Sequence, residues 1–96
     1  MDLKESLKFI RDTVYKYLSE EEYEAFVYGS RADGTAQKWS DIDVGIRGTK
    51  KVPFDVLATI RGEIEDSDIP YLVDVVDFNR ASEKFARIAT KGVLRL

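Results

Sequence analysis

Apolar side chains at Leu3, Leu7, Ile10, Val14 and Leu18 recur every three or four positions, the period of a helix with one buried face. Lys4, Glu5, Lys8, Arg11 and Asp12 fill much of the remaining surface. Glu20, Glu21 and Glu22 read as a solvated connection, and Glu24 to Tyr28 as a short strand that breaks at Gly29. From Ser30 to Ser40 the pattern is irregular, apart from a short helix that would open at Ser30 with that residue as its cap. Alternation resumes over Asp41 to Ile46, a second strand, before a loop of turn formers and positive charge at 47–51. Phe54, Leu57, Ile60 and Ile64 give a second long helix its apolar face, with Pro53 near its first turn and Asp66-Ser67-Asp68 at its end. Tyr71 to Phe78 is the third strand. A last amphipathic segment runs from Ser82, in a capping position, through Phe85, Ile88 and Ala89 to a turn at Gly92. Helix-strand-strand-helix-strand-helix implies an α+β or two-layer α/β domain, its small sheet covered by helices mainly on one side.

The chain of 96 residues is expected to form one domain spanning 1–96, because a second core would not fit. It has little spare surface with which to enclose a large substrate. Apolar residues at 44% and charged residues at 34% describe a foldable protein. The absence of cysteine and histidine excludes disulfides, thiolate zinc sites, histidine metal sites and Ser-His-Asp or Cys-His catalysis. Eighteen acidic against fifteen basic residues give a formal charge of −3, which argues against a general nucleic-acid-binding surface. No leader or membrane-spanning run is visible, so a cytoplasmic location is the expectation.

One pair of residues changes this bland picture. Asp41 and Asp43 fall one residue apart in the second strand, so both carboxylates leave the same face and repel each other unless a cation repays the arrangement. Ser30, behind Gly29 at the break of the first strand, lies eleven positions before Asp41. In the third strand Asp74 interrupts the run Leu72, Val73, Val75 and Val76, where a carboxylate is either exposed or paired. Asp77 is its rival, but it has the opposite parity and sits near the strand end. Solvated strand aspartates are the plain alternative. The chemical alternative is Mg²⁺, which prefers carboxylate and phosphate oxygens and, as a pair of ions, stabilises the attacking and leaving oxygens of phosphoryl transfer. A Gly-Ser turn adds close backbone approach and donors for phosphate oxygens. The chain lacks a Gly-rich loop ending in Lys-Ser or Lys-Thr and a Gly-x-Gly-x-x-Gly run, so neither a P-loop enzyme nor a dinucleotide-binding domain is indicated.

Gly29-Ser30, ten intervening residues, then Asp41-x-Asp43 resembles the signature of nucleotidyltransferases of the polymerase-beta fold. The strings Tyr28-Gly29-Ser30-Arg31-Ala32-Asp33-Gly34-Thr35-Ala36 and Ser40-Asp41-Ile42-Asp43-Val44 resemble its smallest members, the minimal (MNT-type) nucleotidyltransferases. Asp74 matches the family's third carboxylate, and Ile88 to Leu94 resembles its usual ending. Many relatives carry a basic residue at the position of Asp33, which would weaken a phosphate site if it points inward and matter little on an exposed turn.

The resemblance implies a small mixed sheet with flanking helices and transfer of a nucleoside monophosphate, AMP from ATP, to a hydroxyl. Asp41 and Asp43 would hold two Mg²⁺ ions, Asp74 would complete the site and assist deprotonation of the acceptor, and Gly29 and Ser30 would hold the leaving phosphates. Arg31, next to them in the chain, is read as a phosphate contact, with a surface ion pair as its alternative. It further implies a hetero-oligomer with an all-helical HEPN-type partner, whose tyrosine receives AMP and whose toxicity is thereby neutralised. The alternative within the resemblance is an inactive module that neutralises or scaffolds that partner by contact. Lys50 and Lys51 are read as ordinary loop solvation. Phe9, Tyr15, Tyr17, Tyr23 and Trp39 are candidates for either core or interface.

Overall fold

In the computed structural model, which describes residues 1–81, 83, 87 and 92–96, helix α1 (Leu3–Tyr17) starts where Asp2 and Glu5 form a capping box. The Asp2 carboxylate accepts from the Glu5 amide at 2.8 Å and the Glu5 carboxylate accepts from the Asp2 amide at 3.2 Å, satisfying donors that a helix start leaves open. Strand β1 (Tyr23–Tyr28) follows a turn at 20–22, and a single helical turn, α2 (Ser30–Asp33), follows β1 directly. Then come β2 (Ile42–Gly48), α3 (Phe54–Glu65), β3 (Val73–Asp77) and the short β4 (Leu94–Arg95).

The sheet order is β3-β2-β1-β4. β1 pairs antiparallel with β2 and β4, whereas β2 and β3 are parallel. Parallel neighbours need a crossover, and α3 supplies it. The sheet is therefore small and mixed with flanking helices, as expected. One face, carrying Ala25, Val27, Ile42, Val44, Ile46 and Val75, packs with Ile10 and Val14 of α1 and Leu57, Ile60 and Ile64 of α3. The other face carries Phe26, Tyr28 and Phe78, whose rings meet edge to face, Phe78 lying 5.0 Å from each of the others. Gly45 makes room for them: a Cβ there would stand 2.4 Å from Phe26 and 2.8 Å from Phe78.

Several boundaries differ from the sequence reading. Ser30 does not cap α2; the capping position is Gly29, with no side-chain hydrogen bond, and Ser30 is the first helical residue. Asp41 lies just outside β2, and Tyr71, Leu72 and Phe78 lie outside β3. β4, two residues long, is too short to carry a period that a sequence pattern could show. Ser82, Phe85, Ile88 and Ala89, the core of the last expected helix, lie outside the described residues. Among the described residues no helix is long and apolar enough to cross a membrane.

Candidate active site

Register places the site residues. Tyr28 on β1 faces Asp43 on β2, and Asp43 faces Asp74 on β3, so the three form one row across adjacent strands on the aromatic face. Neighbouring strands lie about 4.8 Å apart, so Asp43 and Asp74 are direct cross-strand neighbours. Asp43 is half-buried, whereas Asp41 and Asp74 are exposed. The Asp43 carboxyl is held above its ordinary value, first by burial and then by the charges of Asp74 and Asp41. Burial, followed by Asp43 and Asp74, pushes Tyr28 up to about 12. Burial is the larger cause of both shifts, and the neighbouring carboxylates add to each.

Gly29 brings the turn against this row. Its φ of +72° is paired with a ψ of −148°, a combination that essentially only glycine adopts. A Cβ on Gly29 would stand 2.6 Å from Oδ2 of Asp43, so the missing side chain also admits the carboxylate. Gly29→Ala is expected to cost about 1–3 kcal/mol, lowering Tm by roughly 4–24 °C, and to displace Asp43. Thermal unfolding and nucleotide transfer measured on the same preparation check both effects. Wild-type Tm and transfer in the variant would show that the turn tolerates a side chain.

The structure brings together Gly29, Asp43 and Asp74 as the sequence suggests, with Ser30 opening α2 beside them. Arg31 is committed to the backbone: its Nη2 donates to the Ser40 carbonyl at 2.7 Å and the Lys38 carbonyl at 3.1 Å. Asp33 is exposed and turned to Thr35, whose amide and hydroxyl it accepts at 3.0 and 2.6 Å. Those bonds hold its carboxyl below the ordinary value, and its charge stays on an exposed turn. The rival Asp77 is buried elsewhere, accepting from the Val52 and Asn79 amides and from Arg80. Lys50 and Lys51 are exposed.

Tyr28 is the site neighbour that periodicity did not single out. Its place immediately before Gly29-Ser30, with the parity of a residue facing the carboxylates, was the available signal. Of the five candidate interface aromatics, Tyr23 is buried, Phe9 and Tyr15 pack against the core, and Tyr17 and Trp39 are exposed.

Among the described residues, no three His, Cys, Asp or Glu side chains stand close enough together to hold an ion in their present rotamers. Asp41 and Asp74 are exposed and Asp43 is half-buried. The donor set itself is all carboxylate oxygen, the chemistry that suits Mg²⁺ beside phosphate.

A mixed sheet with aspartates on adjacent strands beside a Gly-Ser turn defines a nucleotidyltransferase-type domain. The chain belongs to the family described as polymerase beta, nucleotidyltransferase, whose model matches residues 12–94. It is 31% identical over 91 residues to the probable protein adenylyltransferase MntA of Haemophilus influenzae, covering 95% of this chain and 79% of that protein. Among solved structures, a toxin-antitoxin with AMP-PNP superposes with a TM-score of 0.69 at 19% identity, over 94% of this chain and 70% of that one. A tri-AMPylated Shewanella oneidensis HEPN toxin in complex with MNT antitoxin gives 0.71 at 14% identity, over 96% and 69%. At those identities the structures establish the shared fold.

Proposed function

We propose that this chain transfers AMP from ATP to a tyrosine hydroxyl of a HEPN-type helical partner, with which it forms a toxin-antitoxin hetero-oligomer. The observation that carries the reading is the meeting of Gly29 with Asp43 in a row that continues to Asp74. Similarity to a probable protein adenylyltransferase and to folds solved with AMP-PNP and with an AMPylated HEPN toxin supports the substrate and the partner.

Asp41 and Asp43 would hold two Mg²⁺ ions, with Asp74 completing the set. When bound, the ions supply charge that stabilises the attacking and leaving oxygens. Gly29 and Ser30 would seat the β- and γ-phosphates, glycine by allowing close backbone approach and serine by its hydroxyl donor. The acceptor oxygen forms a bond to the α-phosphorus, the bond from that phosphorus to the β-bridging oxygen breaks, and pyrophosphate leaves. Asp74, exposed on β3, would take the hydroxyl proton. Alignment and charge carry the reaction without a covalent enzyme intermediate.

Intact mass of the partner after incubation with the chain, ATP and Mg²⁺ tests this. Whole adenylyl units are expected on the partner with the wild-type chain and none with Asp41→Ala or Asp43→Ala. An unchanged mass with the partner still inhibited would establish neutralisation by contact instead.

A further inference from the structure

The loop between α2 and β2 delivers Asp41, and its shape is governed by one side chain from the Gly-Ser turn. Nη2 of Arg31 donates to two carbonyls of that loop, Lys38 at 3.1 Å and Ser40 at 2.7 Å. The loop closes on itself through Ser40, whose hydroxyl accepts from the Gln37 amide at 2.8 Å. The Ser40 carbonyl belongs to the peptide that enters Asp41. On the other side of Asp41, the Ile42 amide donates to the Leu72 carbonyl at 2.9 Å. Asp41 therefore stands between two anchored peptide groups, one held by Arg31 and the other by the approach to β3.

The guanidinium also reaches that approach. Its central carbon lies 4.9 Å from the centre of the Tyr71 ring, and Tyr71 in turn lies 5.6 Å from Trp39. Nε of Arg31 is buried without a hydrogen-bond partner, and none of the ion pairs among the described residues includes Arg31. The two hydrogens of one nitrogen meet both carbonyls while the guanidinium plane lies over an aromatic ring; a lysine ammonium keeps donors but has no plane to stack.

We infer that Arg31 is a positioning residue, a clasp that ties the Gly-Ser turn to the 37–40 loop and to Tyr71 and so sets Asp41 relative to Asp43 and Asp74. The inference rests on the reading of these aspartates as metal ligands. It assigns Arg31 to the support of one ligand instead of to the phosphates. Supporting groups of this kind change metal affinity by about 10- to 100-fold when removed.

The test uses the isolated full chain without nucleotide. Mn²⁺ binding is followed by the electron paramagnetic resonance of the free ion, and loop position by acrylamide quenching of Trp39, the one tryptophan in the sequence. Arg31→Ala is expected to weaken Mn²⁺ binding by at least about tenfold and to make Trp39 more quenchable. Far-UV circular dichroism checks that the fold is retained. Arg31→Lys, which keeps the charge and hydrogen-bond donors but loses the planar stacking on Tyr71, is expected to fall between Ala and wild type. In transfer assays, raising Mg²⁺ should restore much of the Arg31→Ala rate, since the defect is one of metal affinity. Unchanged Mn²⁺ affinity and Trp39 quenching, with a raised KM for ATP that extra Mg²⁺ does not correct, would overturn the clasp and place Arg31 on the phosphates. A wild-type chain that binds no Mn²⁺ would overturn the metal-site reading itself, and Trp39 quenching would then decide the clasp alone.

Discussion

Asp43→Asn is expected to reduce AMP transfer by about 10³-fold, the scale on which one preorganised electrostatic group acts in catalysis, while raising the stability of the metal-free chain at pH 7. The two effects have one origin. Burial and the neighbouring Asp74 and Asp41 raise the Asp43 pKa in the folded state, so the folded chain holds that proton more readily than the unfolded one. Stability from this group therefore falls as pH rises through the interval between the ordinary carboxylate value and the raised one. Asparagine removes the cost. Its advantage should be full at pH 7, shrink as pH falls through the raised pKa and vanish below the ordinary value. In saturating Mg²⁺ the order should reverse if Asp43 is a metal ligand as proposed, because the wild-type chain then gains more from binding. Thermal unfolding across pH, with and without Mg²⁺, measures each step. A variant less stable than wild type at neutral pH without metal would show that Asp43 is a structural carboxylate.

Asp77→Ala is expected to be the more damaging change to the fold. The Asp77 side chain is 1% exposed and accepts from the Val52 amide at 2.8 Å, the Asn79 amide at 2.9 Å and Arg80 at 2.7 Å. Arg80 also donates to the Val52 carbonyl and lies over the Phe54 ring at 3.9 Å. Truncation leaves a buried amide without an acceptor and a guanidinium without its carboxylate, which costs about 3–5 kcal/mol. For a domain of this size that is a fall in Tm of roughly 12–40 °C. Transfer per folded molecule, measured well below the new Tm, should stay close to wild type because Asp77 faces away from the row of Asp43 and Asp74. Loss of transfer without loss of stability would reverse the assignment of Asp74 and Asp77.

These two aspartates show how far the sequence reaches. Parity alone separates Asp74 from Asp77, since successive side chains of a strand leave opposite faces. Of the partners that make Asp77 structural, Asn79 and Arg80 are near in sequence, but Val52 lies twenty-five residues away along the chain, and no local pattern announces it. Asp33 is similar: its residue type is unfavourable beside a phosphate, but its direction, out to Thr35, is set by the turn. Arg31 shares its motif with Gly29 and Ser30, and proximity in sequence placed it with the phosphates. Its hydrogen bonds to Lys38 and Ser40 appear only when the loop is closed.

Periodicity and composition by themselves determined the long helices, the strands that carry the aspartates, the absence of thiol and imidazole chemistry, and the Gly-Ser and Asp-x-Asp spacing that marks the family. Such features are local because helix and strand periods are imposed by the backbone one turn or one pleat at a time. Tertiary structure alone decided that Asp43 stands opposite Asp74, that Tyr28 extends their row, and that Gly29 must lack a side chain to admit Asp43. Those relations depend on the register of strands joined through α3 and on the closure of the 34–41 loop. Register follows from burying one whole face of the sheet against α1 and α3, a choice made by the core and not by the site residues.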